Sequence, residues 1–388
     1  MKRWISLFIV CITVLSLSGC STAGGFHRSG KKHFAEGDYE QAANDFSNAI
    51  RSKPHKAKYY IDYGMSLVVL GQYEEAINQF DQVYMDKDIK EVVANNKRAL
   101  TGKGIAYYRM REYKKGMELF DQALEIDELS NLDMDILKYK GSSLISIGDY
   151  KGARDIYDDL ITNLGEDALI YNYLGYVNWQ LGDYQEAIKN YDLAISLEEK
   201  NFQHYFDKYY LLIDIGNDAE ASKVLEEASK IDIRSNEDKF QLARIHYYQE
   251  EYDTAFKEMS EAYVNGFPQA YYYIGQIHYM KEEYDSARYY YNKSLEEVGH
   301  NTPELYNQVG ISLMEVGEYE EALGYLKQGV EIADSETKRI LQKNKIVAYE
   351  NTGRFKEAEE ALEEYIEDYP DDQAALKEIK FTNSRLIH

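Results

Sequence analysis

Gly182-Asp183-Tyr184-Gln185-Glu186-Ala187 is one copy of a block that returns along the whole chain. It stands earlier as Gly37-Asp38-Tyr39-Glu40-Gln41-Ala42, Gly71-Gln72-Tyr73-Glu74-Glu75-Ala76 and Gly148-Asp149-Tyr150-Lys151-Gly152-Ala153. Later copies are Gly216-Asn217-Asp218-Ala219-Glu220-Ala221, Gly317-Glu318-Tyr319-Glu320-Glu321-Ala322 and Gly353-Arg354-Phe355-Lys356-Glu357-Ala358, and weaker copies surround Tyr113, Tyr252 and Tyr284. The usual period is about 34 residues, the length of a stacked helix pair. A chain of 388 residues would otherwise suggest two or three compact domains. The period replaces that expectation with one elongated all-α array.

One repeat shows why. From Ala168, Tyr171, Leu174, Gly175 and Asn178 share a helical stripe, which Gly182 breaks. Asp183 is placed to cap the next helix, whose stripe is Tyr184, Ala187, Ile188, Tyr191, Ala194 and Ile195. The small residues Gly175, Ala187 and Ala194 let helices approach closely. Neither helix buries its stripe alone, so each pair needs neighbours.

On these residues the chain resembles the tetratricopeptide repeat (TPR) family over about residues 23–371. Taking Ala187 as the twentieth position of its repeat, the same register puts Phe46, Phe80, Phe120, Tyr157, Tyr191 and Tyr291 at the twenty-fourth, with Pro54 and Pro370 ending their repeats. The resemblance implies a right-handed superhelical solenoid of about ten repeats, closed by a polar-backed capping helix over 372–388. Spacing departs from the rule between Ala76 and Gly116 (40 residues), Gly116 and Ala153 (37), and Ala255 and Ala287 (32). These departures read as loosened register rather than as function.

The N-terminus carries a second signal. Met1-Lys2-Arg3 is a basic start, and Trp4 to Ser16 is an apolar stretch too short to span a membrane. It ends in Leu17-Ser18-Gly19-Cys20, which resembles a bacterial lipobox. Residues 1–19 are therefore expected to be a lipoprotein signal peptide. Residues 20–22 would form the lipidated N-terminus, with Cys20 diacylated (palmitate or similar) at the extracytoplasmic face of a bacterial membrane. A plain secretory signal or an uncleaved anchor are the alternatives. The only other cysteine, Cys11, lies in the removed segment, so no internal disulfide is available.

Net charge is −24. Nucleic acid, which needs clustered Lys and Arg, is not expected as a partner. No zinc, calcium or phosphate-loop motif is present, and Ser29-Gly30-Lys31-Lys32 has no partner for catalysis. His33, His246 and His278 all fall at position eleven, a packing position of the family. No enzyme activity, metal or cofactor is expected.

In the family the concave surface comes from positions 2, 5, 9, 12 and 13 of each first helix. Across the chain those positions set Lys31, Lys58, Arg98, Arg109, Lys138, Arg244 and Lys343 against Asp135, Asp214, Glu237, Glu304, Glu315 and Glu350, near neutrality on an acidic body. Repeats five to eight are aromatic there, with Tyr176, Trp179, Phe206, Tyr210, Phe240, Tyr247, Tyr248, Tyr272 and Tyr279 beside Asn172, Arg244 and Gln276. Aromatic faces with amides suit an extended peptide or a glycan. These twelve are the expected binding residues of a membrane-anchored scaffold for a protein or peptide. The alternatives are a structural part of an envelope assembly or secretion complex, or a glycan- or peptidoglycan-binding lipoprotein. The basic Lys/Asn clamp of the family's chaperone-binding members is not supplied.

Overall fold

In the computed structural model the described residues are 22–85, 87–298, 302–333 and 335–370, with Asp372 and Ala375. The predicted signal segment, Cys20 and the rest of the predicted cap lie outside them. Among the described residues all regular structure is helical: twenty α-helices and one short 3-10 turn. None of these helices is long and apolar enough to cross a membrane.

Two compact units divide at Glu198 and Glu199. The first holds α1 (Ala23–Ala35), α2 (Tyr39–Ser52), α3 (Ala57–Val69), α4 (Tyr73–Asp81) and α5 (Lys90–Arg109). It continues with α6 (Tyr113–Leu124), α7 (Asp133–Ser146), α8 (Tyr150–Leu164), α9 (Ala168–Gln180) and α10 (Tyr184–Leu197). The second holds α11 (Phe202–Asp214), α12 (Asp218–Ala228), α13 (Asn236–Tyr248), α14 (Tyr252–Val264) and α15 (Ala270–Met280). After these come α16 (Tyr284–Val298), α17 (Pro303–Glu315), α18 (Tyr319–Ile332), α19 (Ser335–Asn351) and α20 (Phe355–Asp368). Within each unit a helix packs chiefly on the next one in the chain. This is the stacked-hairpin architecture that the period requires.

The Gly-x-Tyr block makes each hairpin. Gly182 sits at φ +80°, and the Asp183 amide reaches back to the Asn178 carbonyl at 2.8 Å, so the first helix ends in a left-handed glycine cap. Three repeats lack the glycine and place Arg111, Glu250 and Glu282 in the same left-handed conformation, at φ 61°, 63° and 60°. Asp183 takes the expected N-terminal position, but its carboxylate does not cap. It bonds Arg154 at 2.9 Å instead. Asp38 and Asp149 do cap, accepting from the Gln41 and Gly152 amides at 3.1 and 2.9 Å.

Inside most hairpins a glycine of the first helix faces a large residue of the second. A Cβ on Gly175 would stand 2.6 Å from the Tyr191 ring, and one on Gly141 2.5 Å from Tyr157. Gly64 meets Phe80, Gly104 meets Phe120 and Gly275 meets Tyr291 in the same way. All of those rings are buried, as are the position-twenty alanines. Gly116 replaces one alanine because a Cβ there would lie 3.1 Å from the Gly104 carbonyl oxygen.

The 40-residue spacing is absorbed by α5, which runs for 20 residues, and by the loop before it. Asn96 clasps that loop through both backbone groups of Met85, at 3.2 and 2.9 Å. The 37-residue spacing is taken up by the connection from α6 to α7, with its 3-10 turn at Ser130–Leu132.

Gly175→Ala is expected to destabilise the first unit by about 1–3 kcal/mol, the usual cost of overpacking. Adding Tyr191→Leu is expected to recover much of the loss. Urea unfolding followed by circular dichroism measures both, and a neutral Gly175→Ala would contradict a rigid contact there.

Candidate functional site

A concavity with a volume of about 680 Å³ lies in the first unit. Much of its lining stands at the predicted positions 2, 5, 9, 12 and 13, whereas Gly102, Tyr139 and Tyr173 stand at position six. Ile61 and Met65 come from α3, and Arg98, Thr101, Gly102, Ile105, Tyr108 and Arg109 from α5. From α7 come Asp135, Lys138, Tyr139 and Ser142, and from α9 Leu169 and Tyr173. Leu132 projects from the 3-10 turn. The two over-long repeats therefore bracket the site: one lengthens the helix that forms its floor, the other supplies Leu132 to its wall.

The floor is held by aromatic packing. Tyr108 meets Tyr139 edge-on at 5.5 Å, Tyr139 stacks beside Phe120 at 6.0 Å, and Tyr173 stacks on Tyr157 at 5.1 Å. Burial, followed by the nearby hydroxyls of Tyr113 and Tyr173, pushes the Tyr108 phenol above its ordinary range. It therefore stays neutral at physiological pH. Three cations and one carboxylate stand around this floor. Lys138 is committed to Asp167 at 2.9 Å. Burial opposes the Asp167 charge, but Lys138 and the Ile170 amide outweigh it and hold the carboxyl below its usual range. Arg98 reaches the Asn95 amide oxygen at 3.1 Å, and no described carboxylate lies within salt-bridge distance of Arg98 or Arg109.

Of the twelve residues expected from sequence, eight gather in the second unit. The Arg244 guanidinium lies 4.0 Å from the Phe206 ring centroid and 5.8 Å from that of Tyr273. It donates to Gln241 at 2.6 Å and to the Tyr210 hydroxyl at 3.4 Å. Tyr210 and Tyr248 share a hydrogen bond of 2.6 Å. Tyr247 packs on Tyr248 at 5.1 Å and on Tyr273 at 5.4 Å. Phe240 stacks on Phe267 at 5.5 Å, and Gln276 donates to Tyr272 at 3.0 Å. Phe206, Phe240 and Gln276 are buried, whereas Tyr210, Arg244, Tyr247, Tyr248 and Tyr272 are half-buried. Tyr273 belongs to this cluster although it is not a predicted groove position. Tyr279 stands apart from the eight, against Tyr284 at 5.4 Å. In the other unit, Asn172, Tyr176 and Trp179 lie on α9, half-buried, with Tyr176 6.2 Å from Trp179 and 6.3 Å from Tyr150.

The three position-eleven histidines pack as expected, but each also meets a carboxylate. His33 lies 2.9 Å from Asp45, His246 2.6 Å from Glu258, and His278 2.6 Å from Glu283. His278 also stacks on Tyr290 at 5.1 Å. Among the described residues no group of three or more His, Cys, Asp or Glu is placed to hold a metal.

The tyrosine cluster has a measurable signature. Burial pushes Tyr247, Tyr248 and Tyr273 upward, with neighbouring phenols adding to it and Arg244 opposing it at Tyr248 and Tyr273, and raises Tyr272 to about 12. A phenol whose folded value exceeds its unfolded value of about 10 favours the fold fully below pH ~10, and that contribution is lost as pH climbs toward the folded value. The melting temperature is thus expected to fall from about pH 10 upward. Tyrosinate absorbance should rise together with loss of helix. Complete tyrosine titration at the ordinary value with helicity intact would contradict this packing.

Comparison with known proteins agrees with the geometry. Models described as "Tetratricopeptide repeat" match residues 28–91, 66–131, 240–302 and 309–373, and another of the same description matches 168–201. A TPR repeat-containing protein of Methanocaldococcus jannaschii is 27% identical over 239 residues, covering 60% of this chain and 38% of that protein. Anaphase-promoting complex subunit 3 of Schizosaccharomyces pombe is 26% identical over 172 residues, covering 44% of this chain and 24% of that protein. The chain thus spans well under half the length of these curated relatives. Among solved structures, yeast Tom70 superposes with a TM-score of 0.55 at 16% identity, over 96% of this chain and 90% of that one, a likeness of fold alone. The chain belongs to the tetratricopeptide repeat family, an all-helical scaffold suited to binding proteins.

Proposed function

We infer that the chain is a docking scaffold, held by a lipid on Cys20 at the extracytoplasmic face of a bacterial membrane, that takes an extended segment of a partner protein. The observation that carries the docking is the first-unit cavity: about 680 Å³, apolar and aromatic at its floor, cationic at its rim, and built from the first helices of consecutive repeats. Its phenols offer apolar area with hydroxyls at little entropic cost. The aromatic cluster of the second unit is a weaker candidate, because its arginine and several of its rings already contact one another.

The anchor rests on Leu17-Ser18-Gly19-Cys20 following a short apolar segment. The first helix begins at Ala23, so a lipid on Cys20 would hold the stack close to the bilayer. Two or three acyl chains make such anchoring stable, where one alone is marginal.

Cys20→Ala is expected to move the protein from a salt-washed membrane fraction into the soluble one, and continued retention would remove the anchor. Docking is read separately. Peptides selected from a random library on the full mature chain are expected to slow amide exchange in α5 and α7. Binders that protect only the second unit would move the site away from this cavity.

A further inference from the structure

Arg98 and Arg109 occupy the first and last groove positions of α5, eleven residues apart. Eleven residues advance an α-helix by about three turns, so the two side chains leave the same face roughly 16 Å apart. Between them the same face carries Thr101, Ile105 and Tyr108, and Gly102 lies close beside it. Thr101 is already engaged, donating to the Lys97 carbonyl at 2.8 Å, so the stretch between the arginines presents mainly apolar surface.

Both arginines are exposed, and neither has a described carboxylate within salt-bridge reach. Lys138 across the cavity is occupied by Asp167, which leaves the two α5 arginines as the cations available to a ligand. They are available on a chain whose net charge is −24. Asp135, exposed on α7, is the remaining carboxylate of the lining. It disfavours acid placed centrally over α7 and can accept an N–H from a bound backbone.

An extended chain alternates its side chains between two faces, so acids must stand an even number of positions apart to meet one helix face; a separation of four spans roughly 13 Å, which long arginine side chains about 16 Å apart can close. Resting on the docking reading above, we propose that this cavity takes an internal segment of a partner in which two acidic residues, four positions apart, flank apolar residues. The two carboxylates meet Arg98 and Arg109, and the residues between them lie on Ile105, Tyr108 and Tyr139. Spacing, rather than total acidity, selects the ligand, because the acidic body repels an indiscriminate polyanion.

The test uses the full mature chain with Cys20→Ala and capped fluorescent peptides read by anisotropy. The probe is Asp-Ala-Leu-Ala-Asp, with both ends blocked so that no terminal carboxylate contributes. The control has the same composition with the two Asp adjacent. The probe is expected to bind roughly tenfold more tightly than the control, with the preference weakening as salt rises. Arg98→Gln or Arg109→Gln should each weaken probe binding roughly threefold, the scale of an exposed charge pair, and should leave the control unchanged. Both positions are exposed, so circular dichroism should show folding intact. Equal binding of probe and control, or indifference to both substitutions, overturns the charge spacing. If exchange in α5 and α7 is still protected by peptides in that case, the docking reading survives and this inference alone fails. If no peptide of either charge pattern protects these helices, the docking reading fails as well.

Discussion

The stack depends on one recurring contact: a glycine on the first helix of a hairpin pressed against a ring on the second. Gly30 meets Phe46, Gly64 meets Phe80, Gly104 meets Phe120, Gly141 meets Tyr157, Gly175 meets Tyr191 and Gly275 meets Tyr291, each at a separation that leaves no room for a methyl group. The missing side chain lets the ring lie flat on backbone, and the ring fills the space that close approach would otherwise leave empty. In three of the four repeats whose second helix offers a slimmer residue the first grows larger, Gly310 against Leu326 being the exception. Tyr209 stands at the glycine position of the repeat carrying Leu225, Ala243 in that of Met259, and Ile346 in that of Leu362. The volume at each crossing is thus shared between two positions sixteen residues apart. That local compensation is why weak repeats still stack.

The same contact explains how far the fold was legible in the sequence. Small and large residues at fixed offsets, with glycine at the turn, are local requirements repeated many times, so register and helix boundaries could be read without coordinates. Position-eleven histidines were correctly placed among packing residues, although their carboxylate partners twelve or five residues away were not foreseen. The capping role of Asp183 failed because Arg154, in the preceding repeat, competes for the carboxylate.

The site was less legible, for a physical reason. The groove register named Arg98, Arg109, Asp135 and Lys138 as inward-facing, and the cavity uses all four. The count of aromatics pointed instead to the later repeats, where rings satisfy one another around Arg244. A side-chain inventory cannot distinguish rings that face a ligand from rings that face each other. The available signal was irregularity: the two consecutive over-long spacings, 40 and 37 residues, surround the helix that forms the cavity floor. In a periodic stack, a departure from the period is where the surface changes shape.

The turns without glycine carry a consequence for how the second unit breathes. Glu250 and Glu282 hold left-handed backbone in successive hairpins, at an approximate cost of 1–2 kcal/mol each relative to a relaxed conformation. Since each repeat in a stack is stabilised chiefly by its neighbours, two strained hairpins in succession lower the local free energy of opening without lowering that of distant repeats. The mutual packing of Phe206, Tyr210, Arg244, Tyr248 and Tyr273 spans these hairpins and the one before them, cross-bracing a segment that backbone geometry alone would leave as the seam of the unit.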